Sequence, residues 1–348
     1  MKKYFLLVAA VAFFAACAEK EQINETADIP IDFTKSYIEN VTKAPYTTAN
    51  FATTGNTMGV FGWKQNSTTY TQVFTNQSVD YNQTASNDWG YSPKKYWDSE
   101  ADKYIFYAYA PHSDAFTGTV TAPTSTSANS FAITNFTQVA TVANQIDLLV
   151  DLTSQINNQA NKSTSKPKPE VAFTFNHILT QVNIVMGVSS QLKGDESANP
   201  VAVQSVTLND VNIKGTYSYS NSAWAWSAQA TPTDFSATTK TVSNKTVVFG
   251  STELGTTAAN VPGLVEMLLI PGSVSGYTIT VNYTIGDEAF EKTINLTDFK
   301  DGNNASLSTW AIGYNYIYSL TIGPEPIEFA SPTINDWGTG GTYSYTIE

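Results

Sequence analysis

The sequence contains no arginine; all 18 basic residues are lysine. That excludes bidentate guanidinium clamps for phosphate or carboxylate. It equally excludes cleavage by a protease that demands arginine. There is a single cysteine, Cys17, so no disulfide can form within the chain. With only two histidines, His112 and His177, the chain cannot supply the closely spaced His/Cys set that zinc needs, and no metal ligand set is assigned. Charged residues make up 14% of the chain, against about 25% in an average soluble protein. The formal net charge is −12, which repels a phosphate backbone and excludes nucleic acid as a partner. Sustained helical periodicity, heptads and short repeats are missing. So are a G-x-S-x-G elbow and a phosphate-cradling loop with its lysine. No cofactor is expected, and the chain is read as a non-enzyme.

What is present is Thr, Ser and Asn in place of charge, with 13% aromatic residues among 348. Thr, Tyr, Phe and Val suit a pleated, half-buried surface, which favours an all-β chain. At about 150 residues per domain, the length suggests two domains.

The first 17 residues, MKKYFLLVAAVAFFAAC, combine a basic start at Lys2 and Lys3, a short apolar run and two small residues before Cys17. The run is too short to span a bilayer and reads as a signal peptide, residues 1–16. Its end resembles a bacterial lipobox, with Phe14 where Leu is usual. On that reading Cys17 is acylated and becomes the first mature residue. The alternative is an ordinary signal peptide cleaved near Ala16. Loss of Lys2 and Lys3 with the leader takes the net charge to −14. Residues 17–28 read as a lipidated tether whose acidic polar run, Ala18–Gln22, is similar to surface-export signals of some Gram-negative anaerobes, with a plain solvated linker as the alternative.

Short β-type runs follow. Met58–Trp63 is compact and apolar; Tyr104–Ala110 is strongly aromatic and ends at Pro111. Gln145–Leu152 is another apolar run, containing Ile146, Leu148, Leu149 and Val150. Residues 154–170, SQINNQANKSTSKPKPE, are polar and stiffened by proline. A boundary is expected there, dividing the chain into 29–165 and 166–348, with a long loop inside one domain as the alternative. Beyond it, Val171–Phe175, Val182–Met186 and Val203–Val211 alternate. Asn221-Ser222 between Thr216–Ser220 and Ala223–Ser227 predicts a hairpin turn. Strands every ~8–15 residues, separated by Gly, Asn and Pro, form the pattern of antiparallel sandwiches.

Few residues suggest chemistry. His112 reads as a loop residue after Pro111, and His177 as a packed or hydrogen-bonded residue at a strand end. Asp98, Glu100 and Asp102 look like a solvated turn rather than a glycosidase pair. Asp298–Asn304 gathers oxygen ligands but lacks EF-hand spacing and reads as a polar turn. Seven tryptophans could stack on sugars; most are expected in the core, and Trp224 and Trp226 share one face of a strand.

An ordered set of motifs resembles the fimbrillin family, in its minor-fimbrillin-like branch. Ile31-Asp-Phe33, Val41-Thr-Lys-Ala44, Gly59–Trp63, Trp89, Tyr96-Trp97 and Ile105–Pro111 come first. Asp147-Leu-Leu149, Phe173-Thr-Phe-Asn-His177, Leu268–Pro271, Trp310–Tyr318 and Ile334–Trp337 complete it. The resemblance implies two transthyretin-like antiparallel β-sandwich domains in tandem. It implies a lipoprotein of the outer membrane, exposed at the surface as a stalk, anchor or tip subunit of a pilus or as an adhesin. Cleavage at Lys43-Ala44 would remove the first strand, and another subunit's strand would fill the groove. The family's stalk subunits usually carry arginine at this point; here it is Lys43. Tyr343, Tyr345 and Ile347 alternate and are the candidate donor strand, unless the tail is simply the last strand of its own domain. The expected partners are other subunits, the membrane through the lipid, and surface glycans or proteins. The alternative function is a surface glycan-binding lipoprotein.

Overall fold

The computed structural model describes residues 29–34, 37–38, 46–82, 88–98, 100–158, 170–194, 200–238, 247–248, 252–253, 257, 259–261, 264–299, 306–323, 328–329 and 333–336. The chain is almost entirely β-structure. The first half contributes β1 (Tyr37–Ile38), a helical turn α1 (Thr48–Phe51), β2 (Thr57–Asn66), β3 (Thr69–Asn82), β4 (Asp88–Gly90), β5 (Lys103–Ala110), β6 (Thr117–Thr121), β7 (Ala132–Thr137) and β8 (Leu149–Asn158). After the polar stretch come β9 (Thr174–His177), β10 (Thr180–Val188), and the two long strands β11 (Val201–Ser220) and β12 (Ala223–Thr238). Short pieces follow: β13 (Val247–Val248), β14 (Thr252–Glu253), β15 (Ala259–Asn260), β16 (Met267–Leu269) and β17 (Gly272–Ser273). The hairpin β18 (Thr278–Ile285) and β19 (Glu288–Asn295) precedes β20 (Thr309–Trp310), β21 (Tyr314–Ile322), β22 (Glu328–Phe329) and β23 (Thr333–Asp336).

A seven-stranded sheet runs in the order β1-β9-β8-β5-β2-β3-β4. The aromatic run of β5 lies at its centre, and this explains why the run is continuous rather than alternating. Tyr104, Phe106, Ala108 and Ala110 enter one core, while Ile105, Tyr107 and Tyr109 enter another on the opposite face. A strand buried on both faces has no polar side to show. Gly59 of β2 faces Tyr109 of β5, and a Cβ there would lie 2.3 Å from the Tyr109 ring. The ring fills the space above the glycine, and its hydroxyl donates to Asn76 Oδ1 and accepts from the Ser113 N–H.

The strand β11 joins the two halves. Val201–Asn209 pairs antiparallel with β18, Lys214–Ser218 pairs with β7 on the same edge, and β12 follows the other edge from Ser205 to Ser220. The hairpin turn is the expected Asn221-Ser222, with φ of 50° and 65°; two positive values are the type I′ geometry that matches strand twist. The β6–β7 hairpin and the distal halves of β11 and β12 thus cover the second face of the first sheet. Between them lies a core with Phe61, Trp63 and Ile105 from that sheet, Phe131 and Phe136 from beside and within β7, and Tyr217 from β11. A separate core fills the space between β10, β16 and β21 and the proximal part of β11 with β18.

Two features differ from the expectation of separate antiparallel units. The pairing crosses residues 165–166: β9 returns to the first sheet through Leu149↔His177 and Val150↔Asn176, and β7 pairs forward with β11. The start of the polar stretch, residues 154–158, extends β8 along β5, the strands on either side of the remainder are antiparallel neighbours, and the passage to the next sheet falls after His177. Secondly, β10 and β21 are parallel, from Gln181↔Asn315 to Val188↔Ile322. Parallel neighbours require a long crossover, and here the intervening strands supply it.

Hydrogen bonds fix the junction. The Gln138 amide donates to the carbonyls of Ile146 and Leu268 at 2.8 and 3.1 Å, and its oxygen accepts from the N–H groups of Val139 and Ile146. Gln145 Oε1 accepts from the Leu268 N–H at 2.7 Å, and the Trp226 indole donates to the Ile178 carbonyl. In the core between β10, β21 and the start of β11, Trp310 Nε1 donates to the fully buried Tyr318 hydroxyl at 2.8 Å.

Two outcomes are expected. Gly59→Ala forces the Tyr109 ring aside and costs about 1–3 kcal/mol of overpacking, measured as a lower urea midpoint against wild type. Burial pushes the phenols of Tyr318 and Tyr217 up, and that of Tyr91 to about 12, from an ordinary 10.0. The contribution of Tyr91 is complete below about pH 10 and is lost as pH climbs through about 12, and the more strongly raised phenols of Tyr318 and Tyr217 lose theirs over the same climb and beyond, because the unfolded chain ionises first. Denaturation midpoints should fall over this range together with delayed tyrosinate absorbance; a flat midpoint would contradict the assignment.

Candidate functional site

The residues singled out by sequence, Cys17, Lys43, Ala44, Tyr343, Tyr345 and Ile347, lie outside the described residues, as do Trp337 and Asp301–Asn304. What is described is the strand upstream of Lys43 and the chain immediately downstream.

Upstream, residues 29–34 run between the Tyr91–Trp97 segment and Val171. Ile31 N–H donates to the Lys95 carbonyl and Trp97 N–H to that of Ile29, both at 2.9 Å. On the other side, Thr34 N–H donates to Val171 at 3.0 Å and Val171 N–H to Asp32 at 2.9 Å. Phe33 bridges Trp89 antiparallel and Val171 parallel, and β1 continues parallel to Thr174 and Phe175 of β9. Ile31, Phe33 and Ile38 are all buried. Four rings surround Phe33, with centroids at 5.6 Å for Phe74, 5.5 Å for Tyr91, 6.3 Å for Phe106 and 5.9 Å for Phe173. The Tyr91 hydroxyl donates to the Ile31 carbonyl at 2.7 Å, while burial raises its pKa. The Lys94–Asp32 pair at 3.2 Å is largely exposed, so it adds little to holding this strand.

Downstream, Tyr46 N–H donates to Asp147 Oδ2 at 3.2 Å, and Asp147 Oδ1 meets His177 Nδ1 at 2.9 Å. Asp147 and His177 are both buried. Tyr46 packs edge-on against Phe51 and its hydroxyl donates to Asn56 Oδ1. Thr47 caps α1 reciprocally with Asn50. Phe51 then enters the core against Trp89 and Phe175. Sequence reasoning placed His177 at a strand end, where it is, but missed its tie to Tyr46. A signal existed: a carboxylate inside an apolar run is buried, and a buried carboxylate must be paired.

The remaining candidates are in structural use. His112 is buried, its Nε2 3.3 Å from the Asn76 carbonyl and its Nδ1 3.2 Å from Asp114. Asp98 takes Lys64 at 2.7 Å and the Glu100 N–H at 2.9 Å, and Asp102 accepts from the Ser67 N–H at 2.6 Å. Asp298 accepts from Asn295 at 2.9 Å. Among the described residues, no cluster of three or more His, Cys, Asp or Glu is placed to hold a metal. Trp63, Trp89, Trp97 and Trp310 are core residues. Trp224 is half-buried and stacked on Tyr217 at 5.2 Å, and Trp226 leans on the same ring at 5.5 Å. Before the described chain ends, β22 and β23 add antiparallel to β21 of their own sheet.

Comparison with known proteins agrees with this architecture. A profile described as fimbrillin-like matches residues 42–337. Fimbrium subunit Fim1C of Phocaeicola vulgatus is 26% identical over 378 aligned positions, covering 98% of this chain and 96% of that protein. A fimbrial protein from Bacteroides vulgatus has a similar crystal structure, with TM-score 0.52 and 18% identity over 87% of this chain and 99% of that one. So has a proposed cell adhesion protein from Bacteroides uniformis, with TM-score 0.51 and 18% identity over 89% and 99%. With its profile match extending over most of its length, the chain belongs to the fimbrillin-like family.

Proposed function

We propose that this chain is a non-enzymatic fimbrial subunit of the cell surface that joins its neighbours by β-strand exchange and contributes to adhesion. Cys17 carries a lipid anchor to the outer membrane, and cleavage between Lys43 and Ala44 releases residues up to 43. A neighbour's strand then takes the place of residues 29–38. The chain's own tail, through Tyr343, Tyr345 and Ile347, is the strand it offers in turn. The two sandwich units are of the transthyretin-like kind, and they exchange strands rather than merely following one another.

The observation that carries the reading is the place of Phe33. An extended segment lying wholly upstream of Lys43 supplies the ring at the centre of an aromatic cage. Burying one large apolar side chain is worth about 1.5–3 kcal/mol. Ile31, Phe33 and Ile38 together then approach the whole stability of a typical domain, about 5–15 kcal/mol. Loss of the strand without replacement would leave the fold marginal. A second strand that refills the cage and satisfies the peptide groups of Lys95, Trp97 and Val171 restores both terms at once.

Two measurements test this. Mass spectrometry of surface material should find a mature start at Ala44, and Lys43→Gln should abolish it; a Cys17 start throughout would remove the stalk form and leave an uncut anchor. Phe33→Ala in the uncut chain should cost about 3–5 kcal/mol in urea denaturation; a cost near zero would show that the strand is not integral to the core.

A further inference from the structure

The Asp147–His177 pair has no part in strand exchange as described, yet it is the most deeply buried acid–base contact among the described residues. Its geometry has a direction. The His177 ring takes Oδ1, which leaves Oδ2 to receive the Tyr46 N–H. A hydrogen bond to an ionised acceptor is stronger than one between neutral groups, and burial shields it from competing water. The described chain leaves β9 at Ile38, opposite Phe175, and resumes at Tyr46, tied through Asp147 to His177 two residues further along the same strand. The two flanks of residues 39–45 are thus held by different means. Apolar burial and strand pairing hold the upstream flank, and a buried carboxylate holds the downstream one. Tyr46 needs no residue of the upstream strand for its contacts with Asp147, Phe51 and Asn56.

We propose that Asp147, oriented by His177, is a positioning residue for the processed chain. It holds Tyr46, the third residue of a chain beginning at Ala44, so that the new amino terminus stays beside the vacated core while residues 29–38 depart. The tether keeps Phe51 seated against Trp89 and Phe175 and so closes one end of the groove to the incoming strand. This rests on the processing reading above.

Hydrogen exchange tests it, in the full uncut chain and in the product beginning at Ala44. In wild type the Tyr46 amide should be protected in both. Asp147→Asn should speed its exchange by about tenfold or more, and His177→Asn by a smaller factor, with the β5 amides of Phe106 and Ala108 unchanged. Equal Tyr46 exchange in all three proteins overturns the proposal. So does a loss of protection spread equally over Phe106 and Ala108 in both variants, which would make the pair a general core element. Failure of the processing reading is separate: surface material without an Ala44 start removes that reading, while exchange in the uncut chain still reports on the tether.

Discussion

A sheet that gives up a strand exposes two things over the same length, a row of peptide groups without partners and the apolar side chains that had lain against the strand. Neither can stay in water at small cost, and a single extended segment cures both. On the strand-exchange proposal the segment in this chain is the one that carries Ile31, Phe33 and Ile38, and the demand is concentrated on Phe33. The Tyr91 hydroxyl bonded to the Ile31 carbonyl and the bridges to Val171 fix where the segment lies. The aromatic cage fixes what it must carry, a large ring with no polar atom.

The individual strands were legible because their chemistry is local. The aromatic run Tyr104–Ala110 reads as a strand, although only the fold shows that both of its faces are buried. Asn221-Ser222 announced the hairpin that joins the two longest strands. Asp147 and His177 were visible as members of a motif, but not as partners. Tyr46, Asp147 and His177 are brought together over sequence separations of 101 and 30 residues, which no window of residue pattern can span.

Strand neighbours were the illegible part, for a physical reason. Alternation tells which face of a strand is buried, but the hydrogen-bonding edges carry no side chain and so leave no trace in composition. The Thr-rich hairpin β6–β7 could not announce that it would extend the edge of β11, nor could β9 announce its return to β8. The polar stretch before Val171 marked a real change in composition. The strands that flank it, β8 and β9, are antiparallel neighbours in one sheet, and that pairing is a backbone relation that composition does not record.

The sharing of β11 has a mechanical consequence. Its backbone is bonded to β18 along one half and to β7 along the other, while β12 runs beside it across the division. Load drawn from one end of the molecule to the other is transmitted lengthwise by a continuous peptide, with rows of hydrogen bonds resisting slip side by side. A string of beads yields at its thinnest thread; here the two halves are spliced like overlapping planks, and traction is spread over the splice.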